Sequence, residues 1–570
     1  MKNELSKNFV KTDHGVWVDK AQVENFGYTD GVWVEQYLTD AFNATDDLST
    51  SSAELETHII DWNTEYHLTR KRHNLLANLS YDRSHSVLEI GCGCGAISRF
   101  LGETFDNVTS VEGSYERARL ARMRTRDLDT VEVVNSRFQD LGVEHAFDAV
   151  FCIGVWEYSP SYVDGPTPFE DGLAAMKRML KPGGYLVLAI ENQFGLKYFA
   201  NAREDHTGTF FEGPEGYPRT SHRVSTFGRK DLENRLSDLG ETSEFFYPVP
   251  DYKIPDALLS QKAFEKLDCG ELLGAFPERD YAGQKSPFFD TRLVWPQLAR
   301  NGMAADMANS FLAVIGGPDK PGMGDDLGFI YNNSRARGFE TTTVLRETEA
   351  GVVADKALQF PELAKAGPVS IAPKSSPWLK GDTVAMGFFL KAHSGQLSLD
   401  AQLSDVKIWH KAICEHATGE GHDRSVPGEY VDMVWQNAVV TDQTCTFFDH
   451  ELVLDKPVPV CHLVARAAFL WLLRYNKAEF AHTNALRHVT SIRTICEALG
   501  ERFDASDVAA LIALEATLQS AVGGGCRTTL TRKIKGQLNL PKYKRVREAQ
   551  ASATTLVRRA NNLRRRMFSR

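Results

Sequence analysis

The chain has 570 residues, of which 42% are hydrophobic and 25% charged, proportions of an ordinary globular protein with room for roughly three to four domains. Collagen-like, wholly disordered and disulfide-scaffold classes are excluded. The net charge of −10 is uneven: residues 527–570 hold fourteen Lys/Arg against one acid, Glu548, so a tail of +13 follows a body of −23.

Nine cysteines, an odd number without paired C-x-x-C spacing, suit a reducing compartment, and a cytoplasmic location is the expectation. The opening MKNELSKNFVKTDHGVW lacks an apolar h-region, and no run approaches the ~18 apolar residues of a spanning helix. Neither a signal peptide nor a membrane span is expected.

Taken in chain order, residues 1–80 are polar and aromatic (Trp17, Trp33, Tyr37, Trp62, Tyr66) and end in a helical stretch, EYHLTRKRHNLLANL. They predict an N-terminal helical and aromatic cap. From Ser86 short apolar runs alternate with amphipathic helices: SVLEIG, VTSVEG, VEVVN, FDAVFCIGV and GYLVLAIEN. Strands covered on both faces read this way, so residues 81–318 predict an α/β domain with a doubly wound, Rossmann-like parallel sheet. An irregular insertion at about 195–305 precedes a last run, SFLAVIG.

The Gly/Pro/Asp-rich GGPDKPGMGDD, 316–326, reads as the linker to a second unit. That unit, 327–520, opens with hairpin-like strands (TTTVLRE, GVVADKALQ) and continues with helices such as HLVARAAFLWLLRYN, an α+β order. The basic tail, 527–570, ends in ATTLVRRANNLRRRMF, which sets Leu556, Leu563 and Phe568 near one helical face.

The strongest motif is Val87-Leu88-Glu89-Ile90-Gly91-Cys92-Gly93-Cys94-Gly95. A buried strand there runs into three alternating glycines and then a helix, and glycines at such a turn supply positive φ and let a ligand approach the backbone. The spacing is neither the G-x-G-x-x-G of dinucleotide enzymes nor a P-loop. Seventeen residues after Gly95 the next strand ends at Glu112, where a carboxylate can accept from both hydroxyls of a ribose. After the third strand come Phe138 and Gln139, placed where an adenine would stack.

From Ser86 to Asn192 this series resembles the class I S-adenosylmethionine-dependent methyltransferases. The resemblance implies that Glu89 and the glycines Gly91, Gly93 and Gly95 line the amino-acid part of S-adenosyl-L-methionine, that Glu112 holds its ribose, and that Phe138 and Gln139 neighbour its adenine. After the fifth strand, in ENQFGLKYFANAREDHTGTFFEGPEGY, Asp205 and His206 are the candidate carboxylate-oriented imidazole, a base for an acceptor that holds its proton at neutral pH. This loop, FYPVPDYKIP and YHLTRKR together resemble methyltransferases of surface-polysaccharide biosynthesis, which implies that Tyr66 and His67 close over the cofactor.

In the second unit Asp432 is followed by Asn437, and then by Asp449, with Lys356 upstream on a predicted strand. The order is that of phosphoryl transfer: Asp432 facing an acceptor hydroxyl, Asn437 and Asp449 holding magnesium, Lys356 pairing nucleotide phosphates. The region resembles divergent protein-kinase-like folds, and the pairing resembles bifunctional methyltransferase-kinases that cap O-antigen chains, implying ATP and Mg. It departs from them in YNNSRARGFE, which has one glycine, and in Asp-His-Glu where Asp-Phe-Gly is expected, so a pseudokinase stays open.

The expected function is a methyltransferase acting on a glycan or glycolipid hydroxyl or phosphate, fused to a kinase-like domain. A small-molecule methyltransferase with a structural second domain, and a scaffold for glycan-assembly enzymes, are the alternatives. The tail fits an anionic membrane surface at the inner membrane face or an assembly-enzyme partner. Nucleic acid is disfavoured: the tail has only Tyr543 and Phe568 for stacking, and the acidic body repels phosphate backbones.

Overall fold

The computed structural model describes residues 2–20, 29, 31–237, 242–281, 283, 287–317, 320–394, 397–475 and 488–539. The chain divides into two compact units, residues 1–334 with 341–355 and residues 335–340 with 356–570.

The first unit is built on one mixed sheet. Its strands are β1 (Phe9–Lys11), β2 (Val16–Asp19), β3 (Ser86–Ile90), β4 (Asn107–Glu112), β5 (Val131–Asn135), β6 (Phe147–Ile153), β7 (Leu180–Glu191), β8 (Thr242–Val249), β9 (Ala257–Ser260), β10 (Ser310–Gly316), β11 (Asp326–Tyr331) and β12 (Thr341–Thr348). They lie in the order β1-β2-β5-β4-β3-β6-β7-β10-β8-β9-β11-β12. From β2 to β7 every neighbouring pair is parallel. The apolar runs explain this, since Val87, Leu88, Val133, Val150 and Val187 have no exposed surface and helices cover both faces. Successive strands step one way from β3 to β5 and the other way from β6 to β7. The order therefore reverses between β3 and β6, and a crevice opens at their carboxyl ends.

Three expectations need correction. The sheet is mixed rather than parallel, because β10 runs antiparallel between β7 and β8. The insertion at 195–305 is not wholly irregular, because β8 and β9 extend the sheet. The segment 316–326 is a linker inside the first unit, not its end. β11 pairs with β9 and β12 with β11, burying Leu327, Phe329 and Leu345.

Residues 1–80 are likewise integral to this unit. β2 joins the sheet edge beside β5, and Trp17 donates its indole N–H to Glu132 at 2.7 Å. The helical stretch expected at its end breaks in two, a helix Trp62–Leu68 and a 3₁₀ turn Arg72–Leu75. Thr69 between them is extended, and the break turns Arg72 toward the carbonyls of Tyr252 and Lys253.

Strand β13 (Gly351–Leu358) runs from the first unit into the second. The second unit opens with strands as expected, but its strands and helices then alternate: five more short strands, within residues 425–459, fall between helices Ser404–Cys414 and Val460–Arg474. Helices Val384–Ser394, Ser404–Cys414, Val460–Arg474 and Ala505–Gly523 surround a core holding Phe388, Trp409, Trp435 and Trp471. Ala505–Gly523 is the one described helix long and apolar enough to cross a membrane. It also carries a buried acid, Glu515, held 2.7 Å from Arg466. Of the basic tail, helix Arg527–Leu538 is described, whereas residues 540–570, with Leu556, Leu563 and Phe568, lie outside the described residues.

Candidate active site

Strand β3 delivers the chain, buried, into the crevice, where Gly91, Gly93 and Gly95 take φ of 68°, 55° and 89°. Glycine alone adopts such a backbone cheaply. The N–H groups of Gly91 and Cys92 both donate to the Val111 carbonyl, at 2.8 and 3.0 Å, fastening the loop to β4. A Cβ on Gly91 would lie 2.4 Å from Val155 Cγ2, and one on Gly95 2.7 Å from Ala121 Cα. At Gly93 it would meet only the tip of the flexible Arg117 side chain.

Beside the loop is a cavity of about 340 Å³, within the size range of small-molecule sites. Its wall brings together Tyr66, His67, Glu89, Gly91, Gly93, Glu112, Phe138 and Gln139. Gly95 lies behind them as the N-cap of helix Ala96–Thr104.

Glu112 ends β4 with both carboxylate oxygens fixed by backbone donors. Oε2 accepts from Gly93 N at 2.8 Å and Oε1 from Ser114 N at 3.0 Å, and each keeps a further acceptor site. Glu89 accepts from Ser110 Oγ at 2.7 Å, and burial pushes its carboxyl up to about 7. Phe138 and Gln139 stand in a 3₁₀ turn, with Gln139 Nε2 donating to the Tyr162 carbonyl at 3.1 Å.

Tyr66 and His67 ride on helix Trp62–Leu68, whose start is locked by a capping box between Asp61 and Thr64. Arg72 stacks 4.4 Å from the Tyr66 ring centroid and donates to its hydroxyl at 2.9 Å. With its bonds to the 252 and 253 carbonyls, Arg72 joins the YHLTRKR and FYPVPDYKIP segments at one wall.

Asp205 and His206 line the same cavity, but not as the expected pair. Asp205 accepts from Lys197 at 2.8 Å and from Lys253 at 2.5 Å. Burial alone would raise its pKa, yet the two ammoniums hold it well below the usual carboxylate range. The carboxylate that orients His206 is Glu204, 2.7 Å from Nδ1. Asp205 and Glu204 thus take different partners, the two lysines and the imidazole, which residue order alone does not disclose.

The other ring nitrogen, Nε2, stands 3.5 Å from both Glu157 and Glu191. Burial would lower the His206 pKa, but Glu191, Glu157 and Glu204 raise it well above the ordinary histidine value. These carboxylates favour the imidazolium form, in which His206 would offer a proton rather than take one.

Glu157, Glu191, Lys253 and Arg72 were missed by sequence reasoning. Glu157 and Glu191 carried a readable signal, since Glu191 ends β7 and Glu157 stands in the 3₁₀ turn that follows β6, at the edge where α/β sheets place functional groups.

In the second unit the structure assembles the four expected residues. Lys356, on β13, pairs with Asp449 and lies 3.0 Å from Glu451. Asn437 Nδ2 donates to the carbonyls of Asp432 and Asp449 at 2.9 and 3.1 Å. Asp432 is buried, 3.6 Å from Arg466, and burial raises its pKa. Glu451, also bonded by Arg335 at 2.5 Å, was not anticipated.

A family model described as a methyltransferase domain matches residues 88–188, the stretch from β3 to β7 that carries the loop, Glu112, Phe138 and Gln139. The ubiquinone biosynthesis O-methyltransferase of Xanthomonas oryzae pv. oryzae is 34% identical over 112 residues, 19% of this chain and 43% of that protein. The cyclopropane-fatty-acyl-phospholipid synthase of Escherichia coli (strain K12) is 31% identical over 103 residues, 18% of this chain and 25% of that protein. This chain thus spans less than half the length of these relatives. Among solved structures, the N-methyltransferase NodS of Bradyrhizobium japonicum WM9 with S-adenosyl-l-homocysteine is 16% identical, with 50% of this chain and 99% of that chain covered and a TM-score of 0.26. The sheet, the glycine loop and the matched stretch make this part of the chain a class I S-adenosylmethionine-dependent methyltransferase domain.

Proposed function

We propose that the protein transfers a methyl group from S-adenosyl-L-methionine to an oxygen of a polar acceptor, a glycan or glycolipid hydroxyl or phosphate in surface-polysaccharide biosynthesis. The observation that carries the transferase half is the cavity itself. A turn free of side chains at Gly93 faces a Glu112 carboxylate set by two backbone amides, with Phe138 beside them, and these residues fit a nucleoside-linked donor. The donor supplies the methyl as a sulfonium and leaves as a neutral thioether. The protein's part is to orient the acceptor and exclude water.

The acceptor half rests on the opposite wall, where Glu157, Asp205, His206 and Lys253 line the cavity with Trp62, Tyr66, Tyr158 and Tyr252. An acyl chain set against Lys253 and His206, whose side chains keep 12% and 6% exposure, would offer them no bonds. A sugar satisfies them with hydroxyls and stacks on the rings. Label transfer from methyl-labelled donor to a terminal sugar or sugar phosphate is the expected result. Transfer only to quinols or phospholipids would replace the glycan acceptor with a small-molecule or lipid one.

A second reading concerns the C-terminal unit, and the grouping of Lys356 with Asp432, Asn437 and Asp449 favours it. We infer a kinase-like site for ATP and Mg, with Lys356 for phosphate and Asn437 and Asp449 for the ion. Magnesium-dependent nucleotide binding lost in Asp449→Ala is expected, and no nucleotide effect on melting would leave a pseudokinase or scaffold. The net charge of the tail supports docking at the inner membrane face or on an assembly enzyme. Flotation with liposomes, with and without residues 527–570, tests it.

A further inference from the structure

Three clusters among the described residues place carboxylate, imidazole or thiol donors within 4.8 Å of one another: His410–Cys414–Glu501, Cys461–His462–Asp507 and Glu157–Glu191–His206. The first already holds a cation, since Arg424 lies 2.5 Å from Glu501 and 3.4 Å from Cys414 Sγ. In the second, Asp507 is committed to the start of its own helix, accepting from Asp504 N at 2.8 Å. The third is different. Glu157 and Glu191 have no exposed surface, and both oxygens of Glu157 and Oε2 of Glu191 lack any hydrogen-bond partner. Buried carboxylate oxygens are rarely left so, because the desolvation cost is not recovered.

We propose that Glu157, Glu191 and His206 form a binding site for a divalent cation of the zinc type in the wall of the methyltransferase cavity, with a coordination position open to the acceptor. It goes beyond the methyl-transfer reading, and its use in catalysis alone rests on that reading. Ligands about 2.0–2.1 Å from a tetrahedral ion stand about 3.3–3.4 Å apart, whereas octahedral neighbours stand about 2.9 Å apart. His206 Nε2 is 3.5 Å from each glutamate, too far for a good hydrogen bond and close to the tetrahedral edge.

The surroundings support the assignment. His206 Nδ1 is held by Glu204, itself fixed by the N–H groups of His206 and Thr207 at 2.9 and 2.7 Å. A carboxylate on the far ring nitrogen fixes a metal-ligating imidazole in place. Glu191 Oε1 is occupied by Tyr252 and Lys253, which leaves Oε2 for the site. Among the described residues the neighbourhood is also short of positive charge: Glu157, Glu191, Glu204, Asp205 and Asp251 meet Lys197, Lys253 and the ring of His206 alone. A divalent ion in place of the proton on Nε2, which leaves to solvent, brings the sum of these charges from −2 to −1. Three protein ligands leave a fourth position for water or an acceptor hydroxyl, whose pKa the ion lowers.

The test is metal content of the full chain, read without donor or acceptor. After loading and dialysis, one equivalent of zinc is expected to be present in the wild type and absent from Glu157→Gln and from Glu191→Gln. Glu204→Gln should keep the site with roughly 10- to 100-fold weaker zinc affinity. Cys414→Ser and Cys461→Ser should keep it unchanged. Cobalt(II) in the wild type supplies a second measurement independent of any variant's folding, with intense tetrahedral bands and no thiolate charge transfer expected. Full zinc in both glutamine variants, no metal in the wild type, or thiolate-to-cobalt bands alone would overturn the site. S-adenosylhomocysteine binding, measured in parallel, judges the methyltransferase reading separately.

Discussion

Glu89 shows how one buried side chain ties stability and donor binding to pH in opposite directions. Its carboxyl is raised from 4.5 to about 7 by burial, so the unliganded folded protein holds a proton that the unfolded chain has lost. Stability from this group is full below pH 4.5 and falls, by roughly 3 kcal/mol at the limit, as pH rises through 7. A cationic donor favours the ionised form, so its binding releases that proton and its affinity rises with pH between about 5.5 and 7. Calorimetry in buffers of different ionisation enthalpy measures the release, and Glu89→Gln should abolish it. The glycines separate at the same scale. Gly95→Ala drives a Cβ into the backbone of Ala121 and should cost about 2 kcal/mol or more of stability. Gly93→Ala displaces only the end of Arg117 but adds about 1 kcal/mol of strain at φ 55°, so it should cost less stability than Gly95→Ala while weakening S-adenosylhomocysteine binding, a contrast that paired melting and binding curves resolve. Glu112→Ala should weaken binding at least tenfold, because both the loop amide of Gly93 and the ligand lose their acceptor.

At the scale of elements, helix Trp62–Leu68 is a short lid piece whose order depends on its first turn. Asp61→Ala removes the cap on Thr64 N and should cost about 1 kcal/mol locally. Tyr66 and His67 would then be held less firmly, so donor affinity should fall several-fold while the global melting point drops by only a few degrees. Hydrogen exchange confined to residues 61–68 checks this. The same element shows what the sequence could and could not tell. Strand β3 and its glycines were legible because the chemistry is local: apolar residues set the strand, and alternating glycines set the turn. Tyr66 was reachable only through resemblance, since nothing nearby in sequence says that a helix packs over the loop. Glu204 was mistaken for Asp205 because a tight turn, not residue order, decides which carboxylate faces the imidazole. Glu191 ends β7 and Glu157 follows β6, and only the sheet order places the two together.

For the whole molecule, composition misplaced the boundary of the first unit. Residues 316–326 carry the Gly/Pro/Asp signature of a linker, and that signature reports a loop, not the end of a core. The core continues beyond it, because β9 would otherwise present Leu258 and Leu259 on an open edge. β11 closes that edge, β12 closes the next, and the unit ends at residue 355. A fragment of residues 1–355 should therefore melt cooperatively and bind S-adenosylhomocysteine with the affinity of the full chain. A fragment of residues 1–326 loses Leu327, Phe329 and Leu345 from the core and leaves an unpaired apolar strand, which invites edge-to-edge association. It should be recovered largely as aggregate, or melt many degrees lower. Equal melting points and equal donor affinity for the two fragments would show that β11 and β12 are an appendage, and that the methyltransferase unit closes at β10 after all.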